Sequence, residues 1–385
     1  MSAPDGKGPN VVVVGAGVAG LSAAVHAARL GAQVTILEQR TLSAGSSGLS
    51  AGIFNRQTFD PVDLAFRVES GRQFADLEKE TSFRITRAGY VRLARSQDQW
   101  DLVRRTIRDG DFPDTTLLNP REVADLIPGM RLDDVVGAMY GSRDGYMDGP
   151  ELCAAFLEVA RRRGVSFRAG VEVLSSEQTP GGLNLITSDG ELRADVVINA
   201  AGPWLTEVGQ RLGVSLPLSN QLHEIALLSV PSLANVNVPT VQTYFPGSGE
   251  NAVYVRPEGA GRFLAGLHSY ETHGEEADPN APVGRASEDH LEELVEHLAD
   301  RFPGWEDAGI EAGWSGIYPL SPDGKFIIGP TAENARVIAL GGLGGVGLTV
   351  SPAVGQLAAE WAVLGEARLF GFADQLLPSR FGGHS

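Results

Sequence analysis

The sequence predicts an α/β fold: a nucleotide-binding domain that the chain visits three times, with a β-rich domain inserted between the visits. Three observations predict it. Val11 to Glu38 (VVVVGAGVAGLSAAVHAARLGAQVTILE) reads as strand, glycine turn, helix and second strand. Val196–Asn199 reads as another buried strand, ending in the small residues Ala200, Ala201 and Gly202. A third glycine-rich turn (GGLGGVG, from Gly341) precedes a final helix expected at Ala353 to Leu364. Between these lie alternating stretches such as QLHEIALLSV, TVQTYF and NAVYVRPEGAGRFLAG.

The first unit carries its own chemistry. Consecutive valines from Val11 to Val14 suit a strand buried on both faces. Gly15, Gly17 and Gly20 follow in the spacing G-x-G-x-x-G. The first glycine allows the tight turn, the second lets backbone approach a pyrophosphate, and the third lets helix pack on strand. The chain continues in helical period through Leu21, Ala24, Val25 and Ala28, and the N-terminal N–H groups and dipole of that helix favour phosphate. Glu38 closes the second strand eighteen residues after Gly20, where a carboxylate accepts the hydroxyls of an adenosine ribose. The complete βαβ unit indicates dinucleotide binding far more specifically than the glycines alone.

After Glu38, Gln39 and Arg40 lead into a loop dense in Ser and Gly, with Ser46, Ser47, Ser50, Ala51 and Gly52 able to offer hydroxyls and amides. Helices are expected over 60–80, 96–108, 121–126, 151–163 and 288–302, and strands over 87–94 and 132–140. Further strands are expected over 165–169, 170–175 and 183–187, with a hairpin at Asp189-Gly190. His290 and His297 stand seven apart among carboxylates, the pattern of a solvated helix face, so no metal site is expected.

Composition narrows the function. A net charge of -17 disfavours nucleic acid, whose phosphates it would repel. Lysine occurs only at Lys7, Lys79 and Lys325, a bias that points to genome composition. Cys153 is the single cysteine, which excludes an internal disulfide. No apolar run approaches the roughly 18 residues that span a bilayer. The start MSAPDGKGPN lacks a signal-peptide core, so a cytoplasmic location is the expectation.

Taken together, GAGVAG with Glu38, the SSGLSAG loop, DVVINAAGPW, and WSGIYPLSPDGKFIIGP followed by GGLGGVGLTVSPAVG resemble the FAD-dependent D-amino-acid oxidase superfamily. The similarity runs nearly end to end, and the chain looks most like the sarcosine oxidase and dimethylglycine dehydrogenase branch. The resemblance implies a glutathione-reductase-type Rossmann FAD domain (residues 9–86, 145–215 and 310–375). It implies an inserted α+β substrate domain (87–144 and 216–309) built on a large mixed sheet. Gly15, Gly17, Val18, Ala19 and Gly20 would hold the pyrophosphate, and Glu38, with Gln39 and Arg40, the ribose end. Ser46, Ser47, Ser50, Ala51 and Gly52 would pass the flavin, and Val173 would meet the adenine. Ala201, Gly202 and Trp204 would lie against the cofactor, and Gly344, Gly345, Val346, Gly347, Leu348 and Thr349 beside the flavin's pyrimidine end.

The resemblance also implies hydride removal from carbon next to nitrogen in a secondary or tertiary amine or an N-alkyl amino acid, with hydrolysis of the imine. Tyr254, His268, Tyr318 and Arg56 are the candidate catalytic residues, with His223 further out. Tyr318 stands where amino-acid oxidases carry a carboxylate-binding arginine. No cysteine lies near Gly316, so thioether attachment is excluded and non-covalent FAD is expected. Val346 and Thr349 replace a histidine and a lysine of the branch, and Leu264 replaces a lysine linked to oxygen reduction. The electron acceptor is therefore left between O2, a quinone and a partner protein. Rival readings are a 2-hydroxy-acid or alcohol dehydrogenase on the same scaffold and a flavin subunit of a heteromeric dehydrogenase. No Gly-Asp-Ala motif near the C-terminus supports a monooxygenase.

Overall fold

The computed structural model describes residues 8–382 apart from 247, 249–251 and 269–275. Asn10–Val14 lies inside a six-stranded sheet, flanked on one side by Gln33–Glu38 and Ser166–Ala169. On its other side lie Val196–Asn199, Val337–Gly341 and Ile327–Pro330. Every pairing is parallel except that of Ile327–Pro330. The valines are buried on both faces, as their run predicts. Val11 and Val13 pack under the helices Val18–Arg29 and Gly347–Leu364. Val12 and Val14 pack beneath a three-stranded sheet (Val173–Thr179, Gly182–Thr187, Gly190–Ala194) and the helix Leu205–Arg211.

The second large sheet has eight strands, in the order Gly309–Leu320, Ser219–Ser229, Arg262–His268, Ala252–Gly259, Thr240–Gln242, Tyr90–Ala94, Gly137–Gly141 and Thr115–Leu118. It is mixed, because Thr240–Gln242 runs parallel to Tyr90–Ala94 while its other pairings are antiparallel. One face packs under Glu288–Arg301 and Pro120–Leu126, through residues such as Val91, Val255, Ala265 and Leu294. The opposite face turns Ile225, Tyr254 and Leu264 toward Ala51 and Ile53 of the serine-rich loop.

Local chemistry sets the helix starts. Asp60, Ser96, Asn119 and Asp148 each accept backbone N–H groups as N-caps, and Asn119 forms a capping box with Glu122. Three expectations shift. The strand expected over 132–140 is confined to Gly137–Gly141, because Leu132 and Val135 close a turn. The final helix begins at Gly347 and contains Pro352. Proline has no N–H for the Leu348 carbonyl, and Ser351 Oγ supplies that bond at 2.9 Å. Gly309–Leu320 pairs along Ser219–Ser229, so the chain leaves the eight-stranded sheet after Leu320 and not at 310.

Candidate active site

A cleft with about 1460 Å³ of empty space, its open mouth included, runs between the two large sheets. Its first wall is almost entirely backbone and small side chains. Gly15 adopts φ +107°, a conformation glycine takes freely, and its missing Cβ would lie 2.5 Å from the Ala200 carbonyl. At Gly20 a Cβ would meet the Gly15 carbonyl at 2.1 Å, so helix and turn close together only around glycine. Gly17 would meet only Ser47 Oγ, at 3.3 Å.

The helices starting at Val18 and Gly347 both present their N-termini to this cleft, and neither has an N-cap side chain. Ser47 Oγ accepts the Val18 N–H at 3.1 Å. Glu38 accepts the backbone N–H groups of Ala16 and Arg40, each at 2.8 Å, which fixes its carboxylate at the end of the strand. Arg40 lies over the Trp204 ring at 4.8 Å, and Trp204 Nε1 donates to Asn280 at 2.8 Å.

The opposite wall comes from side chains of the eight-stranded sheet. Tyr318 stacks on His223 with ring centroids 3.7 Å apart. It also packs against Gly345, where a Cβ would lie 2.6 Å from its ring. Tyr254 lies over Gly266, where a Cβ would meet its hydroxyl at 2.7 Å. His268 sits behind them, 6.2 Å from Tyr318 and 5.3 Å edge-on to Tyr244. Two hydrogen bonds tie the intervening loop to the large sheet, from Ser46 Oγ to the Ile317 carbonyl (2.7 Å) and from Trp314 Nε1 to the Leu49 carbonyl (3.0 Å).

Burial keeps this wall uncharged. It pulls His223 down to about 4, with His290 beside it adding to the shift. It pulls His268 down to about 3, with His223 and Arg92 reinforcing it. Burial also raises the Tyr254 phenol well above its ordinary value, as does neighbouring Tyr318, while Arg256 opposes the rise. At neutral pH the wall therefore offers two neutral imidazoles and a protonated phenol.

The residues expected to hold cofactor fall mostly on the cleft. Gly15, Gly17, Val18, Ala19, Glu38, Gln39, Arg40, Ser46, Ser47, Ser50, Ala51, Val173, Ala201, Gly202, Trp204, Gly344, Gly345, Gly347 and Leu348 all line it. Gly20, Gly52, Val346 and Thr349 do not line it. Gly20 serves packing, and Thr349 donates to the Ile53 carbonyl at 2.9 Å. Of the candidate catalytic residues, Tyr254 and Tyr318 line the cleft, as does His223, while His268 stands one layer back. Arg56 lies elsewhere, its guanidinium beside Gly71 of Pro61–Glu80. Arg211 lines the cleft without having been singled out, since nothing in its sequence neighbourhood marks it. Cys153 is fully buried, and burial pushes its thiol up to about 12. Among the described residues no cluster of metal-ligating side chains occurs, and no helix is long and apolar enough to cross a membrane.

Comparison with known proteins fits this geometry. Residues 10–361 match the DAO family, described as FAD dependent oxidoreductase. The chain belongs to that family, whose members include amine- and amino-acid-oxidising flavoenzymes. It is 28% identical to the mitochondrial pyruvate dehydrogenase phosphatase regulatory subunit of Mus musculus, over 92% of this chain and 41% of that protein. It is 27% identical to dimethylglycine dehydrogenase of Rattus norvegicus, over 96% of this chain and 44% of the relative. It thus spans under half the length of these two. Glycine oxidase of Geobacillus kaustophilus is 27% identical over 91% of this chain and 92% of its own.

The glycine oxidase crystal structure superposes with a TM-score of 0.81 at 26% identity, covering 97% of this chain and 99% of that one. L-proline dehydrogenase from P. horikoshii has the same fold, with a TM-score of 0.86 at 22% identity and 98% coverage of both chains. The cofactor is FAD. The first wall fits such a group, with two helix N-termini whose N-cap residues supply no side-chain bond, a turn closed by glycine and a fixed carboxylate at the strand end.

Proposed function

We propose that the protein oxidises the C–N bond of a secondary or tertiary amine, or of an N-alkyl amino acid, to an imine that water then cleaves to an aldehyde and a shorter amine. The observation that carries this reading is the uncharged aromatic wall of Tyr318, His223 and Tyr254 along the cleft, with Tyr318 packed against Gly345 of the Gly344–Leu348 loop. FAD bound here would supply the hydride acceptor, and the turn at Gly15, Glu38 and the amides of Gly344 to Leu348 would hold it non-covalently. Those amides also favour negative charge beside them, at the start of the last helix.

The chain's own contribution is selection and placement. An ammonium has no lone pair to stabilise the cation left when hydride departs, so the amine must react in its neutral form. Imidazoles held well below their usual range add no charge to the wall, and its buried aromatic surface favours an amine that has lost its proton. Tyr318 and Tyr254 each rest on a glycine, which fixes both rings and sets the width of the chamber. Relatives named for glycine, dimethylglycine and sarcosine oxidation support an amine over a hydroxy acid.

Anaerobic mixing tests this reading. Secondary and tertiary amines should bleach the flavin's visible absorption band, and 2-hydroxy acids should leave it intact. Bleaching by hydroxy acids alone would replace the reading with its alcohol-dehydrogenase rival. Release of yellow colour on acid precipitation should accompany the first result, since FAD held without a covalent bond leaves with the supernatant.

A further inference from the structure

Gln33–Glu38 and Val196–Asn199 flank Asn10–Val14 and run parallel to it, so all three strands end at one edge of the six-stranded sheet. The turn at Gly15 and Gly17 follows the middle strand, Arg40 and Gly45 follow one neighbour, and Trp204 follows the other. Arg40 lies over the Trp204 ring at 4.8 Å, and a Cβ on Gly45 would stand 3.6 Å from that ring. Groups from the two outer strand ends thus meet across the end of the strand between them. Gly15, Gly17, Arg40, Gly45 and Trp204 all line the cleft, so the bridge and the glycine turn border the same space.

The bridge is pinned from the other sheet. Trp204 Nε1 donates to Asn280 Oδ1 at 2.8 Å. Asn280 lies in the chain between the strand Arg262–His268 and the helix Glu288–Arg301, and it does not line the cleft. Its segment is anchored on Ser219–Ser229, where the Ala277 N–H donates to the Asn220 carbonyl at 2.9 Å. Asn220 Nδ2 donates in turn to the carbonyl of Pro203, next to Trp204, also at 2.9 Å.

These contacts differ in what it takes to break them. The Asn220 bond holds backbone beside a buried proline, and the parallel pairings beneath are continuous ladders. The indole is only half-buried, and it is held in place by one bond to an exposed side chain and by an exposed arginine over its face. Contacts of both kinds are individually weak. Trp204 can therefore swing aside through its own side-chain torsions while neither sheet moves.

We propose that Trp204 is a gate for FAD: pinned by Asn280 and packed against Arg40, the indole closes the cleft over the glycine turn, and the dinucleotide enters and leaves when the Trp204–Asn280 bond opens. Asn280 is then a positioning residue that acts through Trp204. The bond joins two protein groups, so it forms with or without the cofactor. The inference concerns cofactor exchange and is independent of which substrate is oxidised.

A gate and a contact differ in kinetics. Losing a contact to bound FAD speeds dissociation alone. Loosening a gate that closes on the empty and the loaded protein alike speeds entry and exit by one factor, because a change felt equally by two states shifts no equilibrium between them.

The experiment compares the full chain with Asn280→Ala and with Trp204→Phe, which keeps a ring against Arg40 and loses the N–H. Dissociation from the FAD-loaded protein is followed by flavin fluorescence after dilution, and association by stopped-flow mixing of apoprotein with FAD. Asn280→Ala should accelerate both rates about twofold to tenfold, the worth of one net hydrogen bond, and leave the dissociation constant within about twofold of the wild type. Trp204→Phe should accelerate both at least as much, and adding Asn280→Ala to it should change nothing further.

Faster dissociation with unchanged association in Asn280→Ala overturns the gate and leaves Asn280 an ordinary support of the FAD site. Unchanged rates in that exposed-site variant overturn it as well. So does an Asn280→Ala effect that persists undiminished once Trp204 has become phenylalanine.

Discussion

The two walls of the cleft are built from different materials. On the six-stranded side the contacts are backbone, supplied by Gly15, Gly17, Gly345 and the ends of two helices. On the eight-stranded side they are side chains drawn from strands far apart in sequence: His223, Tyr254 and Tyr318, with His268 behind. At Gly15 and Gly20 the backbone cradle leaves no room for added atoms, because the close approaches there are to main-chain carbonyls. A side-chain wall can change its chemistry while the sheet beneath persists. This division lets one scaffold keep its cofactor while its relatives carry different substrate names.

The sharpest way to break the first wall alone is Gly20→Val. Its Cβ would fall 2.1 Å from the Gly15 carbonyl, so turn and helix must separate. The expected outcome is protein purified without flavin or recovered insoluble, read as the ratio of flavin to protein absorbance. Full flavin content would show that the close approach at Gly20 is dispensable.

Gly266→Ala disturbs the second wall alone. The new methyl would push on the Tyr254 hydroxyl, 2.7 Å away, and shift the ring across the chamber. FAD should be retained while the rate of flavin reduction falls about a hundredfold, the usual penalty for a misplacement of roughly 1 Å. An unchanged rate would remove Tyr254 from the substrate's surroundings.

Glu38→Ala returns to the first wall with a milder effect. It removes the acceptor for the Ala16 and Arg40 N–H groups and for the ribose. FAD affinity should weaken about tenfold to hundredfold, while the rate of reduction at saturating FAD changes little. Titration of the apoprotein with FAD measures both.

The smallest effect separates the walls by pH. His223 and His268, and His26 on the buried side of the first helix, titrate at about 4, 3 and 3 in the fold against 6.5 in the unfolded chain. Between those values only the unfolded chain takes up the proton, so stability must fall as pH drops below 6.5. Asp144 works the other way. Burial raises it from 3.8 to about 6, so it adds stability as pH falls through 6 and offsets one of the three histidines. The melting temperature should decline by several degrees from pH 7 to pH 5. A rise over that interval would contradict the buried, neutral state of the histidines.

The contrast between the walls also explains what could be read from the sequence. Gly15, Gly20 and Glu38 were legible because a turn, a close approach and a strand end are local, and each demands a particular residue type. Tyr318 and Tyr254 became candidates only through the family resemblance, since nothing in their neighbourhoods distinguishes them from ordinary sheet aromatics. Arg56 was singled out by its place after the serine-rich loop, yet its guanidinium lies beside Gly71, where the helix leaves room for it. The start of the last helix was set too late because Pro352 looks like a boundary until Ser351 is seen bonding the carbonyl that proline leaves free.

The central claim is that an amine held in the cleft against the aromatic wall loses hydride from the carbon beside its nitrogen. The most direct test is a stoichiometric, anaerobic reaction of the FAD-loaded protein with an N-methyl amine, quenched and assayed for products. The account predicts one formaldehyde and one demethylated amine for each flavin reduced, with a slower reaction when the N-methyl group is deuterated. Flavin reduction without aldehyde, or no reduction by any N-alkyl amine, would contradict it.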